Sequence, residues 1–494
     1  MALWCRSGAR FFLVFTLVAV AAAGCSPSQP AADTTATALP ADDESAESSV
    51  ETRPLTLKYD RPVVGAEVQF SADGLPAGKT VDLTWETVKG DWVIEDYYYF
   101  RGRKFENLRT SLGTFTIAAN GRLEGTFTIP EDYGGFHEVI AMVDGEALAQ
   151  RSLEVTQTFE MTPSSGPIGT VVEIKVTGIG SRVMESTWVV NWDNSLAGFV
   201  SAVSSKGSAV ARFRAAGPEG EHVVQVLSGF QGQGYLNHEQ APNDYLPRPR
   251  FSFRTTAGRP ASLAPYAEAY APQPVPMSEL TANITAAIAP TQGPVGSRAR
   301  LTGAGFPAGK TLQLAWQTSV GSRVSGDGFG PSETELPAVT VGSNGMLDAE
   351  VVVPLDLGGL HGVAVRDGDQ TLARVFFVIE TSIVGISRTS GPVGTPVSIH
   401  LNGVGWTEYD NIYIATYDNN YMGYACGFNT QGDVVINFHA TGEPGVHIID
   451  LYPGIYQGPP TEKQLLYRLP QLTYADDHPG NKIPALRFMF EITK

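Results

Sequence analysis

Four of the eight histidines occupy one equivalent place in a repeated pattern: His137, His222, His361 and His447. A recurring imidazole is the first place to look for metal binding or acid–base work. Each of the four follows a glycine-containing turn at the start of a strand, one per repeat, so they sit in separate modules and do not converge on one ion. That placement predicts a structural role. His238, His400, His439 and His478 stand alone, without the i, i+2 or i, i+4 spacing of metal ligands. Asp193-Asn194 and Asp418-Asn419-Asn420 offer oxygen atoms to calcium, but no carboxylate cluster lies beside them in sequence, so strand-end turns are expected. Gly-Lys-Thr at 78–80 and 309–311 has the end of a phosphate loop. Its first glycine is replaced by Asp73 and Ala304, and a strand follows instead of a helix. Gly-x-Ser-x-Gly, His-Glu-x-x-His and Cys-x-x-Cys patterns are not found. No catalytic, cofactor or metal residue is assigned, and an enzyme is not expected.

Aromatic residues suggest recognition instead. Residues 91–105 (DWVIEDYYYFRGRKF) carry Trp92, Tyr97, Tyr98, Tyr99 and Phe100, whereas the corresponding residues 321–331 are Gly/Ser-rich. Aromatic side chains among polar groups suit contacts to a protein or a sugar. The alternative is a long hairpin whose rings pack on their own module. Two further excursions, 235–250 and 459–486, precede the last strand of their repeats, and loops of that length are often functional. With Tyr421, Tyr424, Tyr456, Tyr467 and Tyr474, the second suggests a binding end. The partner-binding candidates are Trp92, Tyr97, Tyr99, Tyr421, Tyr424, Tyr456 and Tyr474.

The elements that must position these rings follow from the rest of the chain. Arg6 and Arg10 precede an apolar run, Phe11–Ala23, whose 13 residues are too few to span a bilayer. Residues 26–54 are rich in Ser, Pro, Ala and Thr with six acids, the composition of a disordered spacer. Beyond Cys5 and Cys25 the only cysteine is Cys426, so no intramolecular disulfide is available to the exported part. The net charge of −17 argues against nucleic acid, whose phosphates require Lys and Arg.

Internal repeats supply the architecture. Gly65–Val88 and Gly296–Val320 share Pro-Ala-Gly-Lys-Thr and a strand ending in Trp85 or Trp316. Ser165-Gly166-Pro167-Ile168-Gly169-Thr170 reappears 225 positions later as Ser390-Gly391-Pro392-Val393-Gly394-Thr395. With 53 glycines and 33 prolines punctuating short alternating runs, an all-β chain of four tandem immunoglobulin-like sandwiches in A-B-A-B order is expected. The boundaries are 55–157 (A), 158–257 (B), 282–380 (A) and 381–494 (B). Residues 258–281 form a Pro/Ala-rich linker able to reach about 70 Å at ~3.1 Å per residue.

Ala22-Ala23-Gly24-Cys25 resembles the lipobox of bacterial lipoproteins. That resemblance implies cleavage after residue 24, a lipid on Cys25, and membrane attachment with Ser26 permitting the outer membrane. An ordinary secretory signal cut near Ala23 is the alternative. The Ser-Gly-Pro-x-Gly-Thr-x-Val openings, each followed by Gly-x-Gly, resemble the TIG/IPT class of immunoglobulin-like domains, most clearly in the two B repeats. Such domains serve adhesion, carbohydrate recognition and spacing alike. The expected function is a lipid-anchored interaction protein that binds a partner through the aromatic loops. The alternative is a carbohydrate-binding accessory protein serving an envelope enzyme or uptake system.

Overall fold

The computed structural model describes residues 52–494 except 231, 241–244, 261, 270, 323–327, 428–429, 457–467 and 481–482. The leader, Cys25, Tyr467 and most of the tether lie outside the described residues. The described chain is all-β, of the immunoglobulin-like sandwich class. Its strands form eight sheets, and four hydrophobic clusters each draw on one larger and one three-stranded sheet.

Alternation explains the strands. Glu67–Ala72 buries Val68, Phe70 and Ala72 and turns Glu67 and Gln69 to solvent, the two-residue period of a half-buried strand. It pairs with Leu123–Thr128 in the smaller sheet of the first sandwich. In the larger sheet, Glu146–Val155, Gly135–Val143, Thr80–Glu95 and Tyr99–Thr116 lie side by side in that order. Trp85 sits at the centre of the first core and Trp316 at the centre of the third. The chain crosses between sheets in the same way in the second, third and fourth sandwiches. A short segment after each first strand (Ser165–Gly166, Gln292–Pro294, Ser390–Gly391) pairs parallel with the last strand.

The sandwiches are closely packed. The Gly358–Gly405 backbone bridge joins the third to the fourth, and Gly134 reaches Ile179 at 3.4 Å between the first and second. The linker departs from the expected spacer. Tyr266–Ala267 pairs with the strand Leu486–Ile492 of the fourth sandwich, and Glu279–Leu280 with Gln370–Glu380 of the third. Backbone hydrogen bonds thus pin it at both ends.

Residues 468–485 also depart from expectation. Leu472, Tyr474 and Ala485 belong to the core of the second sandwich. Phe199 N–H donates to Pro470 O and Leu472 N–H to Phe199 O, each at 2.8 Å, and Arg212 N–H donates to Leu472 O at 2.9 Å. This segment therefore seals edge strands of both second-sandwich sheets, which would otherwise present unpaired groups. Part of the supposed binding end is a seal.

Candidate functional site

The repeated histidines resolve into one recurring clamp. In each, Nε2 meets the carbonyl four residues earlier: Tyr133, Pro218, Leu357 and Glu443, at 2.7–2.9 Å. Each ring also stacks on the aromatic of the neighbouring strand: Trp85, Trp192, Trp316 or Tyr417, with centroids 4.3–5.4 Å apart. In the B sandwiches Nδ1 contacts the turn carboxylate, Asp193 at 2.6 Å or Asp418 at 2.5 Å. The other oxygen of each carboxylate accepts from Val223 or Ile448 N–H. The Asp-Asn pairs are thus turns with both residues left-handed (φ 49° and 64°, 49° and 61°), and their carboxylates serve the clamp. Burial opposes a charge on His447, but the bond to Asp418, the charge of that carboxylate and the Glu443 carbonyl together outweigh it and hold the ring above the usual histidine range.

The aromatic excursion of the first sandwich is a hairpin longer than its third-sandwich counterpart. Its arms, Thr80–Glu95 and Tyr99–Thr116, have 16 and 18 residues against 12 and 13 in Thr311–Ser322 and Gly328–Thr340. The extra length reaches the fourth sandwich. Trp92, expected to meet a partner, is 9% exposed and donates to Asp477 O at 2.9 Å. Phe100 is buried, and its N–H donates to Glu408 Oε2 at 2.8 Å. At the tip, Asp96 and Tyr97 are both left-handed (φ 51° and 60°), a costly conformation for a tyrosine. Contacts hold it there: Tyr409 O–H donates to Tyr97 O, Glu408 N–H to Tyr98 O, and Leu360 N–H to the Tyr97 hydroxyl at 3.1 Å. Trp92 and Phe100 therefore pack against the second and fourth sandwiches and lock one sandwich to another.

Tyr474 is likewise removed from the binding set. It is 1% exposed, lies beside Tyr452, and its hydroxyl donates to Glu268. Asp477 accepts from Ser201 Oγ, Val203 N and Ser204 N at 2.6–2.8 Å. Burial pushes its carboxyl above the usual range, and these donors work against that. His478, between Gln471 Oε1 and Tyr409 O at 2.8 Å each, is pushed by burial down to about 4 and stays neutral. Deeper still, Asp450 lies 2.6 Å from Arg214 and 3.0 Å from Arg487, and Arg487 reaches Glu268 at 2.8 Å. This buried ionic chain joins the second and fourth sandwiches to the linker.

The remaining candidates converge. Tyr99, 39% exposed, packs on Tyr98 (4.8 Å between centroids) with the Arg101 guanidinium over its ring at 4.5 Å. Tyr98 meets Trp406 and Phe329 at 5.2 and 6.2 Å, and these two meet each other at 5.8 Å. Phe329 and Tyr456 pack on Ile412 and Ile414. Tyr456 then meets Tyr424 (5.7 Å), which is 45% exposed, and Arg468 covers the Tyr456 ring at 4.5 Å. Tyr421 is exposed on the same strand, Asn420–Cys426. The result is a belt of partly exposed rings, drawn from the first, third and fourth sandwiches and flanked by two guanidinium groups. Stacked guanidinium and half-open rings suit cation–π, apolar and hydroxyl contacts with a ligand.

Sequence reasoning missed Trp406, Phe329 and the two arginines. Trp406 stands 225 positions after Ser181, so a comparison of the B copies carried that signal. Phe329 lies in the Gly/Ser-rich stretch set aside for its low aromatic density. Among the described residues no helix is long and apolar enough to cross a membrane, and no group of three or more His, Cys, Asp or Glu is arranged to hold a metal.

No family model matches the chain, and no curated protein matches it. Among solved structures it is similar to latent PorU from Porphyromonas gingivalis (13% identity, TM-score 0.16, covering 67% of this chain and 34% of that one). It is also similar to a putative membrane-anchored protein from Corynebacterium diphtheriae (11%, 0.16, 66% and 91%) and to the ICAM-5 D1–D4 ectodomain fragment (12%, 0.16, 82% and 96%). The match spans about a third of the PorU chain. At these TM-scores the likenesses leave the function to be read from this chain's own residues.

Proposed function

We propose that this chain is an exported, lipid-anchored interaction protein whose aromatic belt meets a partner at the cell envelope. The observation that supports it is the continuity of the belt: rings from three sandwiches, separated by hundreds of residues, are brought edge to edge and left partly open. Cys25 carries the anchor and the acidic segment holds the domains away from the lipid. The lipoprotein and TIG/IPT-like resemblances belong to this reading, as does a binding role without catalysis. A protein ligand is the first choice, and an envelope polysaccharide is the alternative because half-open rings also stack on sugars.

Tyr99→Ala and Tyr424→Ala together test it. Both rings are surface groups, so folding should be unaffected. Capture of envelope proteins by the immobilised chain, and retention on polysaccharide columns, should fall at least tenfold in whichever arm the native chain is active. Undiminished capture by the double variant would assign binding to another surface.

A further inference from the structure

The two A-B junctions are built alike, and one of them already holds a ligand from its own chain. At the second junction, between the third and fourth sandwiches, Tyr97 of the first-sandwich hairpin forms one wall, with Gln317, Leu360, His361 and Trp406, of a remaining space of about 240 Å³. Its hydroxyl accepts from Leu360 N–H at 3.1 Å, and its ring lies 6.4 Å from Trp406. The first junction offers a cavity of about 490 Å³, twice as large, lined at the equivalent places by Glu86, Phe136, His137 and Ser181. Phe136 and Leu360 are each the second residue of the strand that carries the clamp histidine (Gly135–Val143, Gly359–Asp367). Each pairs across to the last strand of its sandwich, with Glu154 and Val378 respectively.

We propose that the first junction binds a tyrosine-tipped turn presented by a partner protein, as the second binds Tyr97. Three features favour that occupant. The mouth is open: Phe136 is 53% exposed and lines it with Leu108 among polar neighbours, so one aromatic face is free to meet another ring. The room is unfilled, since no hairpin ring of this chain enters it, and Ser181 stands where Trp406 stands at the other junction. Charge also fits. Arg182 lies over the Phe136 ring at 5.5 Å, and the tip that fills the second junction carries Glu95 and Asp96 beside its tyrosine. An acidic, tyrosine-bearing turn would meet that cation. The chain's own hairpin is not the occupant, since Trp92 and Phe100 bind it to the fourth sandwich. Val183 and Met184 also stand where Glu408 and Tyr409 grip that tip, so a visitor is held by the pocket and not by the clamp. This site is separate from the aromatic belt.

The test uses a cyclised peptide of residues 93–101 as the probe, titrated into the full chain. One peptide should bind per chain, and hydrogen–deuterium exchange should slow at 135–137 and 181–185. A peptide with Tyr97→Phe should bind three- to tenfold more weakly, the size of one hydrogen bond. Phe136→Ala in the protein should weaken binding at least tenfold; its side chain is surface-exposed, so the variant should fold. The Tyr99→Ala, Tyr424→Ala double variant should bind the peptide as the native chain does, which separates this site from the belt. Three results would overturn the proposal: unchanged binding by Phe136→Ala, protection at 359–361 instead of 135–137, or displacement of the peptide by maltohexaose.

Discussion

The two B sandwiches carry the same framework and put its edge strands to opposite uses. In the second, strand Ser195–Val200 is covered by Pro470–Leu472, and Phe199 is 1% exposed. In the fourth, the equivalent strand Asn420–Cys426 is an edge strand that lies against Ser195–Val200 and has no further strand paired to it among the described residues, and the counterpart of Phe199 is the exposed Tyr424 in the belt. Strand Ala209–Arg214 ends on a buried Arg214 paired with Asp450, while its counterpart Val434–His439 ends on an exposed His439. The reverse face differs as well. Ile448 and Met489 of the fourth sandwich pack on Ala216 of the second, whereas their counterparts in the second are Val223 and Ser252. A contact between duplicated modules that used one face of each would repeat end to end if both faces were kept, and would grow into a filament. Changing one face in each copy closes the pair.

Removing the shared acid should break that asymmetry most severely. Asp450→Ala leaves Arg214 buried without a counter-charge and Arg487 with Glu268 alone, an expected loss of about 3–5 kcal/mol in urea unfolding. Arg250→Ala, at the exposed counterpart of Arg487, should stay within about 0.5 kcal/mol. If the two variants were equally mild, the buried chain would not join the modules.

The edge strands give the next contrast. Phe199→Ala should cost about 3 kcal/mol, the low end for a buried aromatic, and Tyr424→Ala about 0.5 kcal/mol or less. Similar thermal shifts for both would mean that Pro470–Leu472 does not cover the second sandwich in solution.

Acid titration sharpens the comparison least but locates it. His478 is neutral and its value is lowered to about 4, from 6.5 when unfolded. Its contribution is therefore complete above pH 6.5 and is lost as pH falls toward 4. The two and a half units correspond to about 3 kcal/mol at most. Asp477, raised by burial, and His447, raised by Asp418, both act in the opposite direction: they favour the fold at low pH and lose that contribution as pH rises through their folded values. The net slope is smaller than that of His478 alone. His478→Gln should remove the acid-side loss in a stability–pH series; an unchanged profile would place the loss elsewhere.

The repeats, the sandwich class and the clamp histidines were legible because they follow from local signals: period-two alternation, turn residues, and self-similarity at fixed offsets. Tyr99, Tyr421 and Tyr424 were legible as exposed aromatics for the same reason. Trp92, Phe100 and Tyr474 were not. A large ring fills a buried interface as well as an open one, and the partners of Trp92 and Phe100 lie 385 and 308 positions away. The linker misled similarly, since Pro/Ala composition describes a free spacer and carries no trace of Arg487 waiting for Glu268.

That stitching sets an order of completion. A chain emerging from its amino terminus presents Trp92 and Phe100 long before Glu408 and Asp477 exist to cover them, and the segment at 266–268 has no strand to join until 486–492 arrives. A chain cut short near residue 470 would lose the strand Leu486–Ile492 from the fourth core, leave Trp92 without Asp477 and leave the second sandwich unsealed. Residues 470–492 therefore finish three modules at once, and the apolar hairpin is covered only when they are in place.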